Sequence, residues 1–124
     1  MGLNIVLDTN IIIDHLRGVE EATHEIKKRL SEGIVIISVI TFGEVLVGCS
    51  GDDDEKVILK LLSRFQISEV SEQVMEQAIM IRREKKIKMP DAIIWATAKV
   101  AGCGILTRNT KDFNPSESDV FVPY

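Results

Sequence analysis

Asp8, Glu44, Asp91 and Asp112 are four acids in places where a carboxylate can do either structural or chemical work. Asp8 closes the apolar run Ile5-Val6-Leu7 and opens "DTN". Glu44 ends "TFGE", Asp91 follows Pro90 in "PDAIIWATAKVAG", and Asp112 lies in "ILTRNTKDF". Each has a local reason to be there. Asp8-Thr9-Asn10 is rich in residues that cap helices or make Asx-turns. Thr41 to Glu44 fits a capping box, in which the glutamate reaches back to the N-cap amide. An acid in a first helical turn, like Asp91, is favoured by the helix dipole, and Asp112 reads as a loop acid capping a short turn.

Together, the four occupy one kind of place: the C-terminal end of a strand or the first turn of a helix. In parallel α/β sheets such places can gather along one edge, where ligands bind. Carboxylates gathered there raise one another's pKa values unless cations neutralise them. Hard oxygen donors without His or Cys suit Mg²⁺ or Mn²⁺ rather than zinc. Spacing alone does not bring the four together. The chain must return to the same edge each time, and Lys86–Pro90 must make one of those returns.

The elements that would position these acids alternate along the chain. Strands are expected at Asn4–Leu7, Val35–Ser38, Gln66–Glu69, Gly104–Thr107 and Val120–Val122. Helices are expected at Ile11–Arg17, Glu20–Ser31, Thr41–Val47, Asp53–Phe65, Glu72–Lys85 and Asp91–Val100. Val74, Met75, Ala78, Ile79 and Ile81 recur at helical spacing and give one apolar face. The helix from Asp91 is apolar on nearly every side and should be central, and the one carrying Glu44 should be mostly buried. Gly33 and Gly102 read as helix ends with positive φ. Pro90 restricts Met89 to extended geometry and suits the first turn of the next helix. The alternation predicts a three-layer α/β/α domain with a mostly parallel sheet of about five strands. At 124 residues the chain is expected to be one domain, spanning 1–124.

Charge and composition exclude several classes. The formal net charge is −4, whereas a protein gripping nucleic acid through phosphate contacts alone is usually basic. A phosphate substrate would need bound cations or local basic patches, such as Arg82–Lys88 or Arg108 with Lys111. The first patch also reads as a solvated helix end complementing its dipole. Cys49 and Cys103 are far apart and read as small buried residues rather than a disulfide or zinc site. His15 and His24 have no metal-ligand spacing. No apolar run approaches the roughly 20 residues that span a bilayer, and Asp8 interrupts the N-terminal apolar run, so no signal peptide is expected. A cytoplasmic protein is the expectation.

The blocks "VLDTNIII", "ISVITFGEVLVG", "PDAIIWATA" and "ILTRNTKDF", in this order, resemble the PIN-domain nucleases, and within them the VapC-type toxins of toxin–antitoxin pairs. The resemblance runs almost end to end. It implies an endoribonuclease dependent on Mg²⁺ or Mn²⁺, with Asp8, Glu44, Asp91 and Asp112 as catalytic metal ligands and Thr9 and Asn109 as supporting residues. Trp95 stands where that pattern commonly has alanine. The resemblance also implies an RNA substrate, an antitoxin partner and a homodimer. Arg108 and Thr107 are candidates for phosphate contact beside it. Apolar residues of Ile11–Leu16 and Asp53–Phe65 are candidates for either core or partner contact. Neither GxSxG nor a Walker motif competes for the chemistry. A phosphoacceptor domain would want an aspartate closing strand three, where Gln66-Ile67-Ser68-Glu69-Val70 offers none. A non-catalytic interaction domain, with its acids serving as helix caps, is the remaining alternative.

Overall fold

The computed structural model describes residues 3–124. The strands are β1 (Ile5–Leu7), β2 (Val35–Ser38), β3 (Gln66–Ser68), β4 (Gly104–Leu106) and β5 (Val120–Phe121). The helices are α1 (Thr9–Leu16), α2 (Glu20–Glu32), α3 (Val39–Val47), α4 (Asp52–Leu62), α5 (Glu72–Lys85) and α6 (Met89–Ala101). The sheet runs β3-β2-β1-β4-β5 and every pairing is parallel.

Successive strand side chains point to opposite faces, and here both faces are covered. Ile5, Leu7, Val35, Ile37 and Leu106 enter a core with Ile11, Ile12, Ile26, Val45, Ile58 and Leu62 of α1–α4. Val6, Ile36 and Ile105 enter the other core, with Val74, Ala78 and Ile81 of α5 and the apolar length of α6. Burial on both sides explains why the inner strands are apolar throughout instead of alternating. The chain leaves β1 toward β2 and β3, then returns to place β4 on the opposite side of β1. The order therefore reverses between β1 and β4, and a crevice opens at the strands' C-terminal ends, where such sheets bind ligands.

Several local expectations change. α3 starts at Val39, and Ser38 caps it by accepting from the Ile40 amide at 3.1 Å. The capping box is therefore withdrawn: Thr41 lies inside the helix. Nor is α3 mostly buried. Only Thr41 and Val45, one turn apart, are fully covered, and Val47 is 86% exposed. α1 starts at Thr9, two residues early, because Asp8 caps it. α4 stops at Leu62 and turns so that Phe65 drops into the core. Met89 is already helical and Lys88 is the extended residue; Pro90 sits where an amide would have no helical partner anyway.

Gly102 has the expected positive φ of 69°, but Gly33 is extended at φ −178°. Its reason is space, since a Cβ there would lie 2.6 Å from the Leu3 carbonyl oxygen. The left-handed cap of α5 is instead Lys86, at φ 59°. Cys49 and Cys103 are partly exposed rather than buried, because they pack only at the margins of the two cores. They lie against opposite faces of the sheet. Among the described residues no helix is long and apolar enough to cross a membrane.

Candidate active site

The crevice at the reversal point is a cavity of about 310 Å³ lined by Asp8, Thr9, Asn10, Ile13, Asp14, Arg17, Glu44, Asp91, Arg108 and Asn109. Three of the four acids meet there, from the end of β1, the second turn of α3 and the first turn of α6. Asp112 stands just beside them, lining an adjoining hollow with Lys86, Lys111 and Asn114. Its charge is felt at both Asp8 and Asp91.

Asp8 is almost fully buried, and both its oxygens are occupied. Oδ1 accepts the Thr9 amide at 2.8 Å, while Oδ2 accepts the Thr107 hydroxyl at 2.7 Å and the Asn10 amide at 3.2 Å. Burial pushes its pKa up, the Thr107 and Thr9 hydrogen bonds pull it down, and Glu44 and Asp112 push it up again. Thr107 is fully buried on Asp8, which withdraws it as a phosphate contact.

Glu44 is exposed and accepts the Thr9 hydroxyl at 2.7 Å; the Thr9 and Thr41 hydroxyls are 3.0 Å apart. The "T" of "DTN" therefore holds the glutamate in place from α1, and it also meets the "T" of "TFGE". Asn109 and Asp112 bond reciprocally: the Asn109 side-chain amide donates to Asp112 Oδ2 at 3.0 Å, and the Asp112 amide donates to Asn109 Oδ1 at 3.3 Å. The Asn109 amide also donates to the Thr107 hydroxyl at 2.9 Å.

Asp91 is pushed up to about 6, first by burial and then by the charges of Asp8, Asp112 and Glu44; a hydrogen bond with the Asp112 carboxyl favours its protonated form. Lys88, the N-cap of α6, makes no side-chain capping bond. Glu44 thus lies within a helix that Ser38 caps, and the capping explanation fails for it, whereas Asp91 keeps the first-turn place that the helix dipole favours.

The donor chemistry, carboxylate oxygen with hydroxyl and amide support, fits a hard divalent cation. Burial is the larger cause of the raised Asp91 pKa, and the charges of Asp8, Asp112 and Glu44 add to it. Among the described residues no group of three or more Asp, Glu, His or Cys side chains is placed as it stands to hold a metal ion.

Arg108 lines the cavity, but its guanidinium is partly taken up by Asp14, with Nε to Oδ2 at 2.7 Å and Nη2 to Oδ1 at 3.0 Å. Tyr124 adds a hydroxyl to Asp14 Oδ2 at 2.8 Å. Sequence reasoning missed Asp14, Asn10 and Tyr124. Asp14 did leave a signal: a charge inside "IIIDHL", on a helix whose neighbouring residues are core. Tyr124 left none.

The Asp112 loop is held by the opposite core. Phe113 is fully buried and its ring lies 5.2 Å from that of Trp95. The Trp95 indole donates to Asp119 Oδ2 at 3.0 Å, and the ammonium groups of Lys85 and Lys99 each lie 5.4 Å from its ring centre. In the Arg82–Lys88 patch, Lys85 pairs with Glu117 at 2.9 Å and Arg82 donates to the Ile87 carbonyl at 2.6 Å. That patch serves partly to tie α5 to the chain beyond it.

Residues 5–114 match the family model described as the PIN domain. Ribonuclease VapC10 of Mycobacterium tuberculosis is 30% identical over 114 residues, covering 88% of this chain and 85% of the relative. A toxin–antitoxin complex from Klebsiella pneumoniae contains a chain that superposes with a TM-score of 0.85 at 39% identity, over 97% of this chain and 98% of the other. FitAcB from Neisseria gonorrhoeae superposes with a TM-score of 0.78 at 28% identity, over 96% and 97%.

Proposed function

The chain belongs to the PIN-domain family, and from that premise we propose that it is a metal-dependent endoribonuclease, the toxin of a toxin–antitoxin pair. The observation that supports this most directly is the meeting of Asp8, Glu44 and Asp91 in one cavity, with Asp112 beside it, at the reversal point of a parallel sheet. These four carboxylates would hold Mg²⁺ or Mn²⁺. Bound there, such an ion would supply Lewis-acid chemistry to the phosphate and to an attacking water.

The protein's own part is to orient the ligands. Thr107, Thr9 and Asn10 fix the Asp8 carboxylate, so little rotamer freedom is lost when an ion arrives. Thr9 does the same for Glu44, and Asn109 for Asp112. Thr9 and Asn109 are thus the supporting residues, and Arg108 is the candidate contact for substrate phosphate. The reacting strand would enter from the open side of the cavity.

The partner is an antitoxin protein. A hollow of about 380 Å³ between α1, α3 and α4, lined by Ile13, Leu16, Val45, Val57 and Ile58, offers it an apolar seat beside the cavity. Val47, also on α3, is exposed as well, and association with a second copy of the chain belongs to the same reading. A cytoplasmic location completes it.

The test is calorimetric titration of Mn²⁺ into metal-stripped wild type, Asp8→Asn and Asp91→Asn, alongside RNA cleavage by the same samples. Saturable binding and cleavage in wild type, both lost in the two folded variants, are expected. Wild-type protein that neither binds Mn²⁺ nor cleaves RNA would overturn the proposal.

A further inference from the structure

The cavity has a second pole. Besides the carboxylates it is lined by Arg17, Arg108 and Asp14, with Arg108 paired to Asp14 and the charge of Arg17 felt there. Asp14 is only 6% exposed, and its two oxygens receive three hydrogen bonds, from Arg108 Nε, Arg108 Nη2 and the Tyr124 hydroxyl. An ion pair with one half-exposed partner gives little net stability, because solvent screens its attraction. What it does give is a fixed orientation.

Two of the five guanidinium N–H groups of Arg108 are used by Asp14, leaving three free on a side chain that is 48% exposed. The backbone is tethered as well: the Arg108 amide donates to Asn10 Oδ1 at 3.3 Å, and the Asn10 side chain donates to Asp8 at 3.2 Å. One continuous run of hydrogen bonds therefore links the C-terminal Tyr124 to the metal-ligand candidate Asp8, with a half-free guanidinium between them. A planar guanidinium fork held still is suited to a phosphate oxygen pair. In a chain of net charge −4, such a local cation is what a polyanion needs.

We infer that Arg108 and Arg17 form a subsite for a phosphate of the bound strand next to the reacting one, and that Asp14 and Tyr124 are positioning residues that aim Arg108 at it. The identity of the strand as RNA rests on the function proposed above. The phosphate chemistry of the subsite rests on the residues themselves.

The experiment is binding of a fluorescent phosphorothioate oligoribonucleotide, which keeps the charge of every linkage and resists hydrolysis, measured against salt concentration with Mn²⁺ present. Arg108→Ala would leave buried Asp14 unpaired, so the informative variants are Arg17→Ala, at an exposed position, and the charge-balanced pair Arg108→Gln with Asp14→Asn. Each should lower the slope of log K against log salt by about 0.7, the value for one lost contact to single-stranded nucleic acid. Tyr124→Phe changes no charge. It should weaken binding by about fivefold, the size of one hydrogen bond, at an unchanged slope. Arg108→Lys should likewise keep the slope and lose affinity.

Wild-type slope and affinity in both charge variants would overturn the inference, as would wild-type protein that does not bind the oligonucleotide. Cleavage of ordinary RNA by the same samples separates the two readings. Cleavage with unaltered slopes would remove the subsite and leave the ribonuclease. Altered slopes without cleavage would do the reverse.

Discussion

Thr107 donates its hydroxyl to Asp8 Oδ2 at 2.7 Å, bonding the ends of two neighbouring strands 99 residues apart in the chain. The bond is buried, and it is one of the two influences that offset the desolvation of Asp8. Thr107→Val keeps the shape and deletes the donor. It should cost about 1–3 kcal/mol in metal-free protein at neutral pH, the penalty of a buried acceptor left short of a partner. Thr107→Ser should recover most of that. Urea denaturation measures both, and an unchanged midpoint in Thr107→Val would show that the bond contributes nothing.

Asp91 carries a pH signature. Its pKa of about 6 in the folded protein lies above the ordinary 3.8. Between those values the folded state binds more protons than the unfolded one, so Asp91 makes metal-free protein lose stability as pH rises through that window. His15, whose pKa burial lowers, acts in the opposite direction over an overlapping window. The comparison is therefore wild type against Asp91→Asn. The variant's melting temperature relative to wild type should climb from pH 4 to pH 6 and then level off. Saturating Mn²⁺ should reverse the ranking at pH 7. A difference independent of pH would remove Asp91 from the repelling cluster.

Trp95 is the bolt of the Asp112 loop. Trp95→Ala empties a fully buried site and should cost about 3–5 kcal/mol. Trp95→Phe keeps an aromatic ring on the Phe113 side but loses the bond to Asp119 and part of the buried volume, for about 1–3 kcal/mol. Because Phe113 adjoins Asp112, Mn²⁺ affinity should fall in the alanine variant and hold in the phenylalanine one. Equal affinities in the two would disconnect the loop from the core.

Two backbone positions should respond in opposite senses. Lys86→Gly relieves a left-handed residue at φ 59° and should stabilise by about 1 kcal/mol. Gly33→Ala drives a methyl into the Leu3 carbonyl oxygen and should destabilise by about 1–3 kcal/mol. Thermal melts of the two variants, read against wild type, check both signs.

Much of this was legible in the sequence because the relevant signals are local. The continuous apolar runs at Ile5–Leu7 and Val35–Ile37 announced strands covered on both faces, and seven consecutive buried residues in α6 fulfilled its expected central place. The residues that hold the acids were harder to read. Thr107 looked like an ordinary strand-end threonine, since its partner lies across the sheet. The "TFGE" segment imitated a capping box, and only the chain's path shows that Ser38 caps the helix while Thr9 meets both the Thr41 hydroxyl and Glu44. Asp14 and Tyr124 are 110 residues apart, a relationship that no local pattern encodes.

The placement of β1 has a consequence in time. It precedes the other four strands in the chain, yet one of its two neighbours, β4, and the Thr107 hydroxyl that Asp8 needs follow about a hundred residues later. At translation speeds of about 5–20 residues per second, that gap lasts on the order of 5–20 s. During this interval Asp8 has no Thr107, and neither Asp91 nor Asp112 has yet joined it in a finished cleft. The acidic centre can therefore be completed only after Asp112 and β4 have followed β1 out of the ribosome.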